Sequence, residues 1–186
     1  MYNHLTPMTV FAQTDRFILR TIEEMDLDGM YALDSDPMVH KYLGKKPVSS
    51  KSKMEEIIKY IRKQYVDYGV GRWAVIHKPS NEFMGWSGLK MNFEKEMNGH
   101  RNFYDIGYRF RPQFWGKGYA TETGKLALDY AFNTLNLETM YGMAELENAA
   151  SRKVLCKLGL QYKGDFLYEE ENIPLAWYEI NNPNNE

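Results

Sequence analysis

The residues best equipped for chemistry lie together between Tyr104 and Glu122, in the order Tyr-Asp-Ile-Gly-Tyr-Arg-Phe-Arg-Pro-Gln-Phe-Trp-Gly-Lys-Gly-Tyr-Ala-Thr-Glu. A strand-like stretch runs into a glycine-spaced turn and then into residues of helical composition. At a helix start the first N–H groups lack intrahelical partners, and the dipole places partial positive charge there. Gly116 and Gly118 take side chains out of the way, so a phosphate can approach the backbone. Pro112 withholds a donor and helps to end the strand. Residues 113–121 therefore read as an anion site suited to a pyrophosphate. Two familiar phosphate loops fit poorly. A P-loop needs Lys and then Ser or Thr directly after its last glycine, and Gly118 is followed by Tyr119 and Ala120. The dinucleotide fingerprint needs a third glycine where Thr121 stands. The glycine pair alone also allows a ligand-free turn.

The elements that must position this turn alternate along the chain. Arg16–Arg20, apolar at its centre, reads as a first strand, and residues 22–34 as a helix. Ser49 or Ser50 caps a second helix running to about Asp67, where Met54, Ile57, Ile58, Ile61 and Tyr65 share one face. Gly69 and Gly71 end it. Arg72–His77 and Phe83–Leu89 form a hairpin, and Asn102–Phe110 a further strand. A helix from Gly118 to about Leu135 follows, then a strand (Thr139–Ala144), a helix (Ala149–Leu158) and two strands (Gln161–Phe166, Leu175–Ile180). The hairpins imply antiparallel pairing and the strand–helix–strand units parallel pairing. The expected fold is α/β (α+β), a single mixed and mostly antiparallel sheet with helices on both faces. Residues 1–13 read as an arm, 14–180 as the domain and 181–186 as a flexible tail.

Composition bounds the function. A chain of 186 residues with 44% hydrophobic and 26% charged residues suits one globular domain that needs no metal or disulfide staple. Lys+Arg 23 against Asp+Glu 25 leaves no basic field for nucleic acid. No apolar run is long enough to span a membrane. The single cysteine and a start without a secretory pattern suit a cytoplasmic protein. The four histidines are scattered, so no metal is implied.

Gln113-x-x-Gly116-x-Gly118 resembles the Q/R-x-x-G-x-G/A signature of the Gcn5-related N-acetyltransferases (GNAT). The flanking string from Asp105-Ile-Gly-Tyr to Pro112-x-x-Trp-Gly-Lys-Gly-Tyr-Ala-Thr-Glu122 is similar to the ribosomal-protein N-acetyltransferase (RimJ/RimL-like) branch. A second block, Asn148-Ala-Ala-Ser151 followed by Leu158-Gly159-Leu160, is similar to that branch's N-x-x-S…G-F element, with Leu160 in place of the aromatic. The resemblance covers the chain from about Thr14 to Ile180. It implies acetyl-CoA (coenzyme A) as donor, a primary amine as acceptor, and a GNAT fold. It also implies that backbone groups of Tyr108 and Phe110 pair with the pantetheine amides. Backbone amides from Gln113 through Phe114, Trp115, Gly116, Lys117 and Gly118, with Ala120 and Thr121, then hold the pyrophosphate. Lys117 could add charge or simply be solvated, and Trp115 could touch cofactor or pack as a rim aromatic. Asn148 lines the pantetheine arm, a role compatible with a plain helix cap. A homodimer is allowed for.

An alkylammonium, with a pKa of about 10, must lose a proton before it attacks a thioester. Asp105 is the first candidate base and Glu145 the second, with Glu147 behind it; each could equally just face water. The Phe110 N–H is a candidate oxyanion donor. Cys156, beside Val154, Leu155 and Leu158, reads as a packed core thiol, so direct transfer in a ternary complex is expected. Many family members carry a tyrosine seven residues after the asparagine to protonate the leaving thiolate. Leu155 occupies that place here, and the resemblance passes the role to Ser151. The acceptor is expected to be the α-amine of a protein such as a ribosomal protein, or alternatively a small amine: a polyamine, an amino-sugar antibiotic or an amino-acid-like toxin. A silent acyl-CoA-binding protein is the third reading. Asp34, Asp36, Glu94, Glu96, Glu169, Glu170 and Glu171 lie in the segments expected to build the acceptor cleft, where they could attract a cation or keep loops solvated.

Overall fold

The architecture is that of a computed structural model, which describes residues 8–170 and 172–185. One eight-stranded sheet carries the strands β1 (Val10–Gln13), β2 (Phe17–Thr21), β3 (Arg72–His77), β4 (Glu82–Asn92), β5 (Phe103–Phe110), β6 (Thr139–Glu145), β7 (Gln161–Tyr168) and β8 (Ile173–Asn181). Their order across the sheet is β1-β2-β3-β4-β5-β6-β8-β7. The pairings are antiparallel except that of β5 with β6. Four helices cover it: α1 (Leu27–Asp34), α2 (Lys51–Tyr68), α3 (Tyr119–Asp129) and α4 (Ala149–Lys157).

Both faces of the sheet are buried, and the alternation along β3 shows why. Trp73 and Val75 join the core under α3 and α4, while Ala74 and Ile76 join the core under α1 and α2. The α2 pattern produces its expected face, burying Met54, Ile58 and Ile61. Its Ser50 Oγ accepts the Lys53 N–H, and Gly69 closes the helix at φ 68°. Two polar side chains tie α2 to the sheet. Gln64 bonds both backbone groups of Met91 at 3.1 Å, and the Tyr65 hydroxyl meets the Arg72 carbonyl and the Ile22 N–H.

Several boundaries differ from the sequence reading. Residues 10–13, assigned to the arm, form β1 and pair with β2; residues 1–7 lie outside the described residues. The first helix is shorter than 22–34, because a single 3₁₀ turn at Glu24–Asp26 precedes it, and Met25 faces solvent. The helix after Gly118 ends in a π turn at Tyr130–Thr134. The start of the tail is not frayed: Asn181 belongs to β8, and Asn182 is buried, its amide bonded to the Leu137 carbonyl at 3.0 Å. Cys156 is exposed, not packed. Leu155 and Leu158 face the core, and one residue beyond Leu155 lies about 100° further round the helix. Among the described residues no helix is long and apolar enough to cross a membrane.

Candidate active site

The sheet opens at its one parallel seam. β5 and β6 are in register only at Asp105 and Tyr141, and beyond that pair their C-terminal halves diverge. On the other side β5 stays paired with β4 along its whole length. The Arg111 N–H bonds the Met84 carbonyl across that ladder, and in an antiparallel pair such residues recur every second position. The alternate residues Ile106, Tyr108 and Phe110 thus turn their backbone groups into the opening. An extended amide chain could join the sheet there as a short extra strand. Phe110 offers only half of what was expected, since its carbonyl is taken by the Trp115 indole N–H at 2.6 Å. Its N–H is left facing the gap.

The glycine turn closes one end of the opening. Gly116 has φ 72° and Gly118 φ 84°, and a Cβ built on either meets nothing within 4 Å. Both sit in the left-handed region because the chain must reverse before α3 starts. The N–H groups of Gly116 to Ala120 have no hydrogen-bond partner among the described residues. They form a run of donors at the positive end of α3. This run is displaced from the 113–118 stretch expected. Pro112 opens a 3₁₀ turn that uses the Phe114 N–H on Arg111 and the Trp115 N–H on Pro112. Thr121 is likewise spent, its N–H bonded to the Gly118 carbonyl at 3.1 Å. Arg16 steadies the turn from the residue before β2: it bonds the Lys117 carbonyl at 2.8 Å and Glu122 at 2.7 Å, and lies over the Tyr119 ring.

The other wall is the corner between β6 and α4. Asn148 caps α4, its side-chain oxygen accepting the Ser151 N–H at 3.1 Å. Tyr108 reaches across from β5, its hydroxyl 2.9 Å from the Ser151 carbonyl and 3.2 Å from Ser151 Oγ. Burial pushes the Tyr108 phenol well above its ordinary range, so it stays protonated at neutral and moderately alkaline pH. Leu155 is packed against Gly142, with no polar atom to offer.

The face of β5 toward α1 carries charge. Asp105 is buried and paired with Arg72 at 2.6 Å. That guanidinium lies across Gly107, where a Cβ would meet it at 2.7 Å. Arg109 bonds Asp34 at 2.6 Å, and both guanidiniums sit about 5 Å from the Trp86 ring. Asp105, the first candidate base, thus has one carboxylate oxygen already engaged by the Arg72 guanidinium. Glu145, at the end of β6, accepts the Gly44 N–H at 3.3 Å.

Behind Arg109, Asp34 is buried with His40 Nε2 at 3.8 Å. Burial pushes the Asp34 carboxyl up, but His40 and Arg109 outweigh it and hold the group below the ordinary carboxylate value. Its stabilising contribution is then complete above the unfolded value, about 3.9, and lost as pH falls through the lower folded value. Breaking a buried pair typically costs about 3–5 kcal/mol. In urea melts at pH 7, Asp34→Asn should lose stability of that order. The gap to wild type should shrink as pH drops from about 4 toward 2.

One cleft of about 920 Å³ joins these parts. It is lined by Asp105, Tyr108, Phe110, Phe114, Trp115, Gly116, Gly118, Ala120, Thr121, Glu145, Asn148 and Ser151 of the residues singled out from sequence. Gln113 and Lys117 are not brought to it; Gln113 faces solvent, and Lys117 lies over the Phe114 ring. Arg72, Trp86 and Arg109 also line it, and the sequence reading missed them; the 38–44 segment, which lines it too, falls within residues 22–50, expected to help build the acceptor cleft. The expected acidic cluster lies elsewhere. Glu94, Glu96, Glu169 and Glu170 border a separate groove of about 560 Å³ with Lys90 and Lys95; Glu96 pairs with Arg101 and Glu170 with Lys95. Asp36 accepts the Met38 N–H, and Glu171 lies outside the described residues.

Residues 16–161 match the family model described as an acetyltransferase (GNAT) domain. The chain is 34% identical over 151 residues to an uncharacterized N-acetyltransferase, p20, of Bacillus licheniformis, covering 81% of this chain and 82% of the relative. Its fold is similar to that of spermidine N-acetyltransferase from Vibrio cholerae, solved with CoA and spermine. There the TM-score is 0.73 at 22% identity, with 91% of this chain and 97% of that one covered. Ribosomal-protein-S5-alanine acetyltransferase from Vibrio fischeri gives a TM-score of 0.73 at 16% identity, with 94% and 97% covered. A cleft with free backbone groups on one strand, facing an open glycine turn at a helix start, suits a pantetheine arm and its pyrophosphate. On that fit and these matches, the chain belongs to the GNAT family of N-acetyltransferases, enzymes that draw their acetyl group from acetyl-CoA.

Proposed function

We propose that this protein moves an acetyl group directly from acetyl-CoA to a primary amine held beside Asp105, without a covalent enzyme intermediate. The observation that carries this reading is the single cleft in which the β5–β6 opening, the glycine turn and the Tyr108–Ser151 hydroxyls meet. The pantetheine arm runs along β5 from the glycine turn past Phe110, so the thioester lies at the Asp105 end of the opening. The Phe110 N–H, five residues or roughly 16 Å from Asp105, serves the arm and not the oxyanion. Asp105, fixed by Arg72, accepts a hydrogen bond from the incoming ammonium and orients it. Glu145, directly or through water, takes the first ammonium proton. The amine nitrogen then bonds the acetyl carbon, and as the C–S bond breaks its second proton passes through water to the Ser151–Tyr108 pair, replacing the one that pair gives to the thiolate. The leaving thiolate takes a proton from the Ser151–Tyr108 pair.

Both the α-amine of a protein, as in the RimJ/RimL-like branch, and a small amine fit this chemistry. The smaller acceptor is favoured by the Gly44–Glu145 contact, which carries the 38–44 segment across the mouth of the cleft and leaves less room for a polypeptide. In a thermal-shift assay, acetyl-CoA and CoA should each raise the melting temperature strongly. The linkage is about 2.7 kcal/mol at a hundredfold excess over Kd. NAD and ATP should shift it much less. Equal shifts with all four would reduce the turn to a general anion site.

A further inference from the structure

We infer that the acceptor is a zwitterion, a primary amine with a carboxylate close by, as in an amino acid or an amino-acid-like molecule. This deepens the proposed transfer reaction and rests on it. A polycation such as a polyamine needs a cleft lined with acids. Here five basic side chains line the cleft against two acidic ones, Asp105 and Glu145. Of the other acids expected at the cleft, Asp34 is buried behind Arg109, and Glu94, Glu96, Glu169 and Glu170 border the separate groove.

The arginines are arranged for recognition as well as charge. Arg72 and Arg109 flank Trp86 with both guanidiniums about 5 Å from its ring, so their planes are supported on an aromatic face. Gly107 leaves the strand bare between them, and the Arg72 group fills that space. Arg72 donates to Asp105 and to the Gly88 carbonyl. Arg109 uses only Nη1, on Asp34, so its Nε and Nη2 edge has no partner among the described residues. That edge is the fork that matches a carboxylate with two parallel N–H···O bonds. Asp105 and Arg72 stand side by side, and Arg109 follows on the same strand face. Asp105 and Arg109 are four residues apart on β5 with the Arg72 guanidinium over Gly107 between them, so the row offers an anion for an ammonium and, beside it, guanidinium N–H groups for a carboxylate. The ammonium is drawn to Asp105, at the opening where the thioester must lie.

The test is release of free thiol from acetyl-CoA with matched acceptors: amino acids, their C-terminal amides, spermidine and a short peptide with a free N-terminus. The amide keeps the α-amine and loses only the carboxylate charge. Its amine is the less protonated of the two, so intrinsic chemistry favours the amide. The expected result is a kcat/KM at least about tenfold higher for the acid of each accepted pair, as a charge-assisted bond is about twice as strong as a neutral one. Spermidine and the peptide should fall below it. Arg109→Gln would leave Asp34 without its cation and could unfold the protein, so Arg109→Lys is the variant of choice. It keeps the charge against Asp34 and removes the fork. It should bind CoA as wild type does and lose most of the acid-over-amide preference. Amides or spermidine used as well as the acids, or a preference untouched by Arg109→Lys, would overturn the zwitterion and leave the acetyltransferase reading standing. No thiol release with any amine would overturn that reading itself, and the inference with it.

Discussion

In titration calorimetry, Gly118→Asn is expected to bind CoA at least about 10²-fold more weakly than the wild type while melting within a few degrees of it. The reasoning starts from the backbone. Gly118 has φ 84° at the N-cap of α3. A β-branched residue is a true outlier there, at a cost of about 1–3 kcal/mol. Gly118→Val should therefore lose affinity and also melt roughly 2–12 °C lower. Asparagine tolerates this conformation, as Asn81, Asn98, Asn102, Asn136 and Asn172 of this chain show, all between φ 50° and 55°. Nothing in the protein lies within 4 Å of a Cβ at Gly118, so neither variant is blocked by packing. What both side chains fill is the space above the free N–H run of Gly116 to Ala120, the proposed pyrophosphate site. Comparing the two variants separates strain from occlusion. Asparagine with normal CoA affinity would move the phosphate to another place.

This turn was readable because its conformation is local. Two glycines, a proline and the start of a helix dictate a reversal with free donors, and all of them fall within seven residues, from Pro112 to Gly118. The α2 face and the core strands were readable for the same reason, since periodicity is a local property. Even so, the donor run was placed too early, because the 3₁₀ turn at Pro112–Phe114 consumes N–H groups that composition alone leaves free. The acceptor wall was not readable. Its pairs join residues far apart in the chain: Arg72 with Asp105, 33 positions on, and Asp34 with Arg109, 75 positions on. A sequence displays their charges but not which acid neutralises which base. That is why Asp105 read as a candidate base or a solvated acid with no partner assigned, and Asp34 as an acid that could attract a cation or keep a loop solvated. β1 was missed because Val10–Gln13 has no alternating pattern, and is a strand only through its pairing with β2. Cys156 was misplaced by one helical step, where counting apolar neighbours hid the direction of the side chain.

Ser151→Ala should lower kcat by about 10²-fold and leave acetyl-CoA binding nearly intact, because only an interaction stronger in the transition state changes the chemical step. The departing thiolate needs a proton in a region where Leu155 supplies none. The hydroxyls that can supply one are Ser151 Oγ and, 3.2 Å behind it, the Tyr108 phenol. A phenol carries one hydrogen. In the structure that hydrogen goes to the Ser151 carbonyl at 2.9 Å; turned onto Ser151 Oγ instead, it frees the serine to donate into the cleft and replaces a proton that leaves it. Burial keeps the phenol protonated, so the rate should show no descending limb from Tyr108 at moderately alkaline pH. Tyr108→Phe should then cost less than Ser151→Ala, about tenfold, since water can refill the serine. In a relay the two losses are not independent, so the double variant should be no slower than Ser151→Ala alone. Additive losses would mean that the hydroxyls act separately. A Ser151→Ala enzyme with near-normal kcat and a lowered melting temperature would reduce Ser151 to a first-turn residue of α4, held by the Asn148 cap, with the proton coming from water.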